Sequence, residues 1–216
     1  APSGVISLLP EGAAARPGYH KDRTPLNEQQ VSDLVQAVVD MRRCADLLLS
    51  RKDVAPARLA YVGHSYNATV GAILSGIDRR FKAFVLMAGG LSDEVDLQSD
   101  EVQQYRLKVG PERFDAFASK YAWTDPGTYV GHASPAIVFM QFATQESFLT
   151  PERARLYAEV VSEPKQFALY DAPHALNAAA RRHRIVFLAQ ELMLKPLSPE
   201  AIARIPVLPQ PPEPKR

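Results

Sequence analysis

The chain has 216 residues, 46% hydrophobic and 23% charged, with 25 basic against 24 acidic side chains and a net charge of +1. That is ordinary globular composition for one domain with a real core, and it lacks the basic stripe that a nucleic-acid partner would require. A single cysteine, Cys44, excludes an internal disulfide and a cysteine-based metal site, and the longest apolar run, near Ala83–Leu91, is far shorter than a membrane span.

No basic segment followed by an apolar stretch opens the sequence, so no signal peptide is visible, and a chain that had already lost one would look the same. The compartment therefore stays open.

Along the chain, Gly4–Leu9 is short, apolar and partly β-branched, and predicts a buried strand. Residues 10–26 are rich in Pro, Gly and Ala and predict a loop. Asn27 with Gln30 resembles a capping box. After it Val31, Leu34, Val35, Val38, Val39, Ala45, Leu48 and Leu49 fall at helical spacing, which predicts an amphipathic helix to about Ser50.

Arg58–Val62 predicts a second strand, Ala68–Leu74 a helix ending near Gly76, and Lys82–Met87 a third strand stopped by Gly89-Gly90. Residues 92–133 read as an irregular helical insertion, with helices near Val102–Lys108 and Pro111–Tyr121. Ala136–Phe142 predicts a fourth strand. Thr150-Pro151 caps a helix running to about Val161, with Pro at the first helical position. Gln166–Tyr170 predicts a fifth strand and Leu176–Leu194 the last helix. From Pro196 onward the sequence is Pro-rich and predicts an extended tail, separate from a domain over residues 1–195. The basic cluster Arg181-Arg182-His183-Arg184 reads as the wet side of that last helix.

Strands alternate with helices, and the strands are continuous apolar runs. That pattern predicts an α/β fold with a mostly parallel sheet and helices on both faces. In such sheets chemistry sits in the loops at the carboxyl ends of the strands. Gly63-His64-Ser65-Tyr66-Asn67-Ala68 follows the second strand, and Ala88-Gly89-Gly90-Leu91-Ser92-Asp93-Glu94 follows the third. Ala143-Thr144-Gln145-Glu146-Ser147 follows the fourth, and Asp171-Ala172-Pro173-His174 the fifth. A serine, a carboxylate and a histidine thus come in that order.

The set has a chemical rationale. A serine hydroxyl needs a base to take its proton as it attacks. Imidazole titrates near neutrality and can do so, and a carboxylate holds its tautomer and stabilises its charged form. A strand–turn–helix around Ser65 would lift Oγ clear of the sheet and set the backbone N–H of Tyr66 at a helix start, where it can bind an oxyanion.

Gly63-His64-Ser65-Tyr66-Asn67 resembles the G-x-S-x-G nucleophile elbow of the α/β-hydrolase fold, and Ser, acid, His is that superfamily's order. Within it the chain looks most like the dienelactone-hydrolase-like and prolyl-oligopeptidase-like serine hydrolases, on Pro135–Phe142 leading into Ala143-Thr144-Gln145-Glu146 and on Tyr170-Asp171-Ala172-Pro173-His174. The resemblance spans roughly residues 4–194. It implies a serine esterase with Ser65 as nucleophile, Glu146 as acid, His174 as base and the Tyr66 N–H in the oxyanion hole. It also implies no metal, no organic cofactor and a small ester as substrate.

Two positions depart from the pattern. Asn67 stands where the elbow has Gly, which implies a slightly opened turn, and Glu146 stands where Asp is commoner. Asp93 or Glu94 remain alternatives for the acid, whereas Asp171 is too close in sequence to reach round His174. His64 reads as structural or pocket-lining, and His20 and His132 as pocket rim at most. Trp123, Tyr121 and Tyr129 read as local packing or as the wall of an acyl or alcohol pocket.

The resemblance also implies a strand lying between those matching Gly4–Leu9 and Arg58–Val62, whose loop supplies the second oxyanion N–H. The sequence has no such segment, so an N-terminally truncated form of the fold is expected. Either the chain is part of a longer one, or another chain supplies the strands, or the two edges pair directly in a reduced sheet. A homodimer across the open sheet would follow from the second. The other readings are an acyl-peptide or oligopeptide hydrolase, or a non-catalytic binding protein of the same fold.

Overall fold

In a computed structural model, residues 4–12, 15–22, 24–90, 100–146, 149–195 and 198–204 are described. The first element is α1 (Glu28–Leu49). Its start is set chemically. Asn27 Oδ1 accepts from the Gln30 N–H at 3.0 Å, as a capping side chain should. Val38 and Ala45 on one face of the helix are buried. A single 3₁₀ turn, Pro56–Arg58, leads into β1 (Leu59–His64), then α2 (Tyr66–Ile77) and β2 (Phe81–Met87).

Helices α3 (Asp100–Val109), α4 (Pro111–Tyr121) and α5 (Pro126–Val130) form the insertion. Strand β3 (Ile137–Ala143), α6 (Pro151–Val160), β4 (Lys165–Tyr170), α7 (Ala178–Glu191) and a short α8 (Pro199–Ala203) complete the order. The last long helix is trimmed relative to its apolar pattern. Leu176 sits at φ 60°, and the Asn177 side chain caps at the Ala180 N–H, so the helix begins at Ala178.

The four strands form one parallel sheet in the order β1-β2-β3-β4. Both faces are covered over its centre, which is why the strands are continuously apolar. On one face Phe84, Leu86, Met140 and Phe142 pack with Val38, Val70, Leu74 and Tyr157 from the helices. On the other, Ala83, Val85, Met87 and Phe139 pack with Ala180 and Phe187 of α7.

One expectation fails. Residues 4–9 form no strand, and Leu9 is 87% exposed. A six-residue apolar run becomes a buried strand only with a partner edge, and among the described residues this one pairs with none. The direct pairing of the two edges in a reduced sheet is therefore not what the chain adopts. Instead β1 is an edge of the described sheet, and Val62, on the face that α7 covers elsewhere, is 46% exposed. Most of the Pro-rich tail lies outside the described residues, though α8 shows one helical turn within it.

Candidate active site

Ser65 joins β1 to α2. Its N–H donates to Met87 O at 2.8 Å, and its carbonyl accepts from Ala68 N at 2.8 Å. The backbone is held at φ 55°, ψ −124°, a strained region for a residue with a Cβ. An ordinary helix-capping serine has an extended backbone and bonds the next turn through its hydroxyl. Ser65 does neither, since its side chain makes no capping hydrogen bond. The simplest structural reason for a serine at this position is thereby removed.

The strain is imposed by close packing. A Cβ on Gly63 would overlap Asn67 O, and one on Gly89 would overlap Ser65 O. The Tyr61 hydroxyl donates to Asn67 O at 2.7 Å and pins the helix start from below. So the tight approach of strand and helix falls on Gly63, and Asn67 at the last elbow position takes part through its backbone. The Tyr66 N–H stands at the first turn of α2, where helical N–H groups have no partner within the helix. Burial, with the charges of Asp33 and Tyr19 behind it, pushes the Tyr66 phenol up to about 12. That hydroxyl stays protonated in ordinary buffers.

The loops after β3 and β4 run side by side. Thr144 N donates to Tyr170 O at 2.9 Å and Gln145 N to Ala172 O at 3.1 Å, extending the strand ladder past both strand ends. Gln145 Nε2 donates to Asp171 Oδ1 at 2.8 Å, so Asp171 braces the loop pair. This arrangement joins Glu146 to His174: Nδ1–H of the imidazole donates to Glu146 Oε1. The Glu146 side chain is only 2% exposed, and its Oε2 has no hydrogen-bond partner among the described residues. With Nδ1–H bonded to the acid, the neutral imidazole carries its accepting lone pair on Nε2.

Ser65 reaches the same end of the sheet beside His64. A carbonyl can only accept, so His64 Nε2 carries a proton and donates to His174 O at 2.8 Å. The two rings lie 4.6 Å apart. Among the described residues no hydrogen bond links Ser65 Oγ to the His174 ring. In hydrolases without substrate such contacts are often long and tighten only as the reaction begins. Asp93 and Glu94 lie outside the described residues.

His20 and His132 serve through backbone carbonyls, to Gln29 Nε2 and to Arg79. The basic cluster on α7 is not wholly a wet face. His183 Nδ1 lies 2.8 Å from Tyr170 Oη, and Arg184 reaches to 3.5 Å from Gln141 Oε1. Burial and the nearby Arg181 charge push the Arg184 guanidinium down. Gln141 is fully buried and donates to both Tyr170 Oη and Ala180 O, which ties β3 and β4 to α7. Nothing in the spacing of these residues announced that network. Trp123 and Tyr129 line a cavity whose walls include neither Ser65 nor His174. Among the described residues no group of three or more His, Cys, Asp or Glu could hold a metal ion, and no helix is long and apolar enough to cross a membrane.

The sequence matches no family model and no curated protein. Solved structures do resemble the fold. An acetyl xylan esterase from Paenibacillus sp. R4 superposes with a TM-score of 0.62 at 19% identity, over 73% of this chain and 53% of that one. Acetyl xylan esterase 1 from Thermoanaerobacterium sp. JW/SL YS485 gives 0.62 at 17%, over 82% and 61%. A puromycin-hydrolyzing peptidase of Mycobacterium tuberculosis gives 0.60 at 18%, over 75% and 26%. The chain therefore has the α/β-hydrolase fold, and it spans between about half and three-fifths of the length of the two esterases.

Proposed function

We propose that the protein is a serine hydrolase that cleaves carboxylic esters through an acyl-enzyme. Ser65 Oγ attacks the ester carbonyl while His174 Nε2 takes its proton. The tetrahedral oxyanion is held by the Tyr66 N–H. His174 returns the proton to the leaving alcohol as the C–O bond breaks, leaving Ser65 acylated. Water then repeats the sequence and releases the acid. Throughout, Glu146 fixes the imidazole tautomer and stabilises its charged form without itself taking the proton.

The observation that carries this reading is the pairing of a strained, non-capping Ser65 with a hydrogen bond from His174 to the buried Glu146 at one end of the sheet. Strain at an otherwise purposeless serine costs about 1–3 kcal/mol, which a fold retains where it serves a reaction. The esterase likenesses agree with it. Peptide-bond cleavage is the second reading, favoured by the likeness to a puromycin-hydrolyzing peptidase and to a dipeptidyl peptidase 4 of Porphyromonas gingivalis.

The test is intact mass before and after a fluorophosphonate probe, with Ser65→Ala alongside, followed by hydrolysis of a p-nitrophenyl ester against an acyl-amino-acid anilide. A single adduct that vanishes in Ser65→Ala, with faster ester turnover, is the expected result. Absence of an adduct on folded protein would overturn the proposal and leave a binding role.

A further inference from the structure

A second site lies apart from Ser65. Helices α1 and α2 and the turn at Trp123 flank a half-open cavity of about 190 Å³, walled by Val35, Val38, Ile73, Ile77, Trp123 and Tyr129. Ile73 stands eight residues along α2 from Ser65, about 12 Å at the helical rise. The cavity is thus not the reach of the candidate nucleophile. Val35, Ile77 and Trp123 are exposed although apolar, and an open, pocketed apolar patch is costly unless something covers it.

Three observations limit the occupant. The first is size: an apolar cavity of about 150 Å³ holds one benzene, so this one takes a single ring with a short stem. The second is shape and electronics. The Trp123 and Tyr129 rings both line the cavity, and aromatic side chains favour an aromatic guest in an offset or edge-on arrangement.

The third is charge. Among the described residues, Arg42 is the one charged residue lining the cavity. Its side chain is 54% exposed, while Asp78, 3.5 Å from Arg42 Nε, is 3% exposed and held by Arg80 at 2.5 Å. The charge that a ligand meets at the mouth is therefore a guanidinium, and the carboxylate that partly balances it is buried behind.

We propose that this cavity is a binding site for an aryl carboxylate, with the ring between α1, α2 and Trp123 and the carboxylate on the Arg42 guanidinium. The assignment is independent of what Ser65 does, and its test needs no turnover. Trp123 is the single tryptophan of the chain, so its fluorescence reports this cavity alone.

Titration with phenylacetate should give a saturable change with a Kd of about 0.1–1 mM, in keeping with a ligand of that size. Phenylacetamide, which keeps the ring and loses the charge, should bind at least about tenfold more weakly, and Arg42→Gln should erase that difference. Arg42→Gln leaves Asp78 its Arg80 partner and so should fold. Val35→Phe, at an exposed position on the wall, should fill the cavity and abolish binding with an unchanged circular dichroism melt, and it adds no second tryptophan to the readout.

Four results would each overturn the proposal. The first is no saturable change in millimolar phenylacetate. The second is phenylacetamide binding as tightly as the acid, and the third is hexanoate binding as tightly as phenylacetate. The last is sedimentation showing a dimer that Val35→Phe dissociates, since a second copy of the chain would then cover the patch.

Discussion

His64 Nε2 donates to His174 O at 2.8 Å, so the residue just before the candidate nucleophile holds the backbone of the candidate base. The two rings also lie 4.6 Å apart. Adjacent side chains on a strand point to opposite faces. His64 therefore acts through the loop that carries His174. Replacing His64 by Ala should let that loop drift and slow fluorophosphonate labelling by about tenfold, a loss of orientation. His64→Gln, which can still donate to the same carbonyl, should recover much of the rate. Equal rates in wild type and His64→Ala would show that the bond has no part in positioning.

The backbone at Ser65 makes a prediction that separates strain from chemistry. Both Ser65→Ala and Ser65→Gly remove the hydroxyl, but only glycine relaxes at φ 55°, ψ −124°. Ser65→Gly should be more stable than Ser65→Ala by about 1 kcal/mol, or about 2–4 °C in Tm for a chain of this size. Thermal melts of the two variants check this. A Tm for Ser65→Gly at or below that of Ser65→Ala would mean that the turn carries no strain.

Glu146→Gln keeps the shape of the acid and removes its charge. An amide can offer its NH₂ to Nδ1 and stabilise the wrong tautomer, and it cannot balance a charged imidazole. Loss of the corresponding charge in a serine protease costs about 10⁴-fold in turnover. The same loss in p-nitrophenyl ester hydrolysis is expected here, with the melt unchanged or improved because a buried negative charge is gone while the shape is kept. A fall of less than tenfold would point to Asp93 or Glu94 as the acid.

Asp78 carries the clearest pH dependence of stability. Burial pushes its carboxyl up, but hydrogen bonds from Arg80 and the charges of Arg80 and Arg42 outweigh that and hold it below the usual range. A carboxyl lowered on folding stabilises the protein above the unfolded value, near ~3.9, and loses that contribution as pH falls through the folded one. Asp78→Asn should cost about 2 kcal/mol at neutral pH by leaving Arg80 without its buried partner. The gap to wild type should close as pH drops below about 4. Urea unfolding at pH 7 and pH 3 checks both parts, and a gap that persists at pH 3 would locate the effect elsewhere.

Much of this architecture was legible because the relevant forces act locally or by simple period. Four of the five predicted strands form, since their apolar runs find neighbouring strands and helices cover both faces over the centre of the sheet. The caps at Asn27 and Thr150 stand where their side chains imply. Gly4–Leu9 misled because strand formation needs a neighbour, which a run of apolar residues cannot supply by itself.

The positions of Ser65, Glu146 and His174 past their strand ends could be read from order along the chain. His64 on His174 O, Gly89 beneath Ser65, and Gln141 bridging Tyr170 and Ala180 could not. Each depends on the sheet bringing together residues remote in sequence, through backbone atoms that every residue type shares.

The Glu146–His174 bond spans 28 residues of chain and closes only when β3 and β4 lie side by side. Helices such as α1 and α4 rest on near neighbours and can form early, whereas parallel pairing must first meet the entropy of loop closure. On the proposed mechanism, reactivity at Ser65 reports the stage of assembly at which β3 and β4 have paired. In a refolding experiment, labelling should appear after the helical signal has returned, and its delay would time the docking of the final strand.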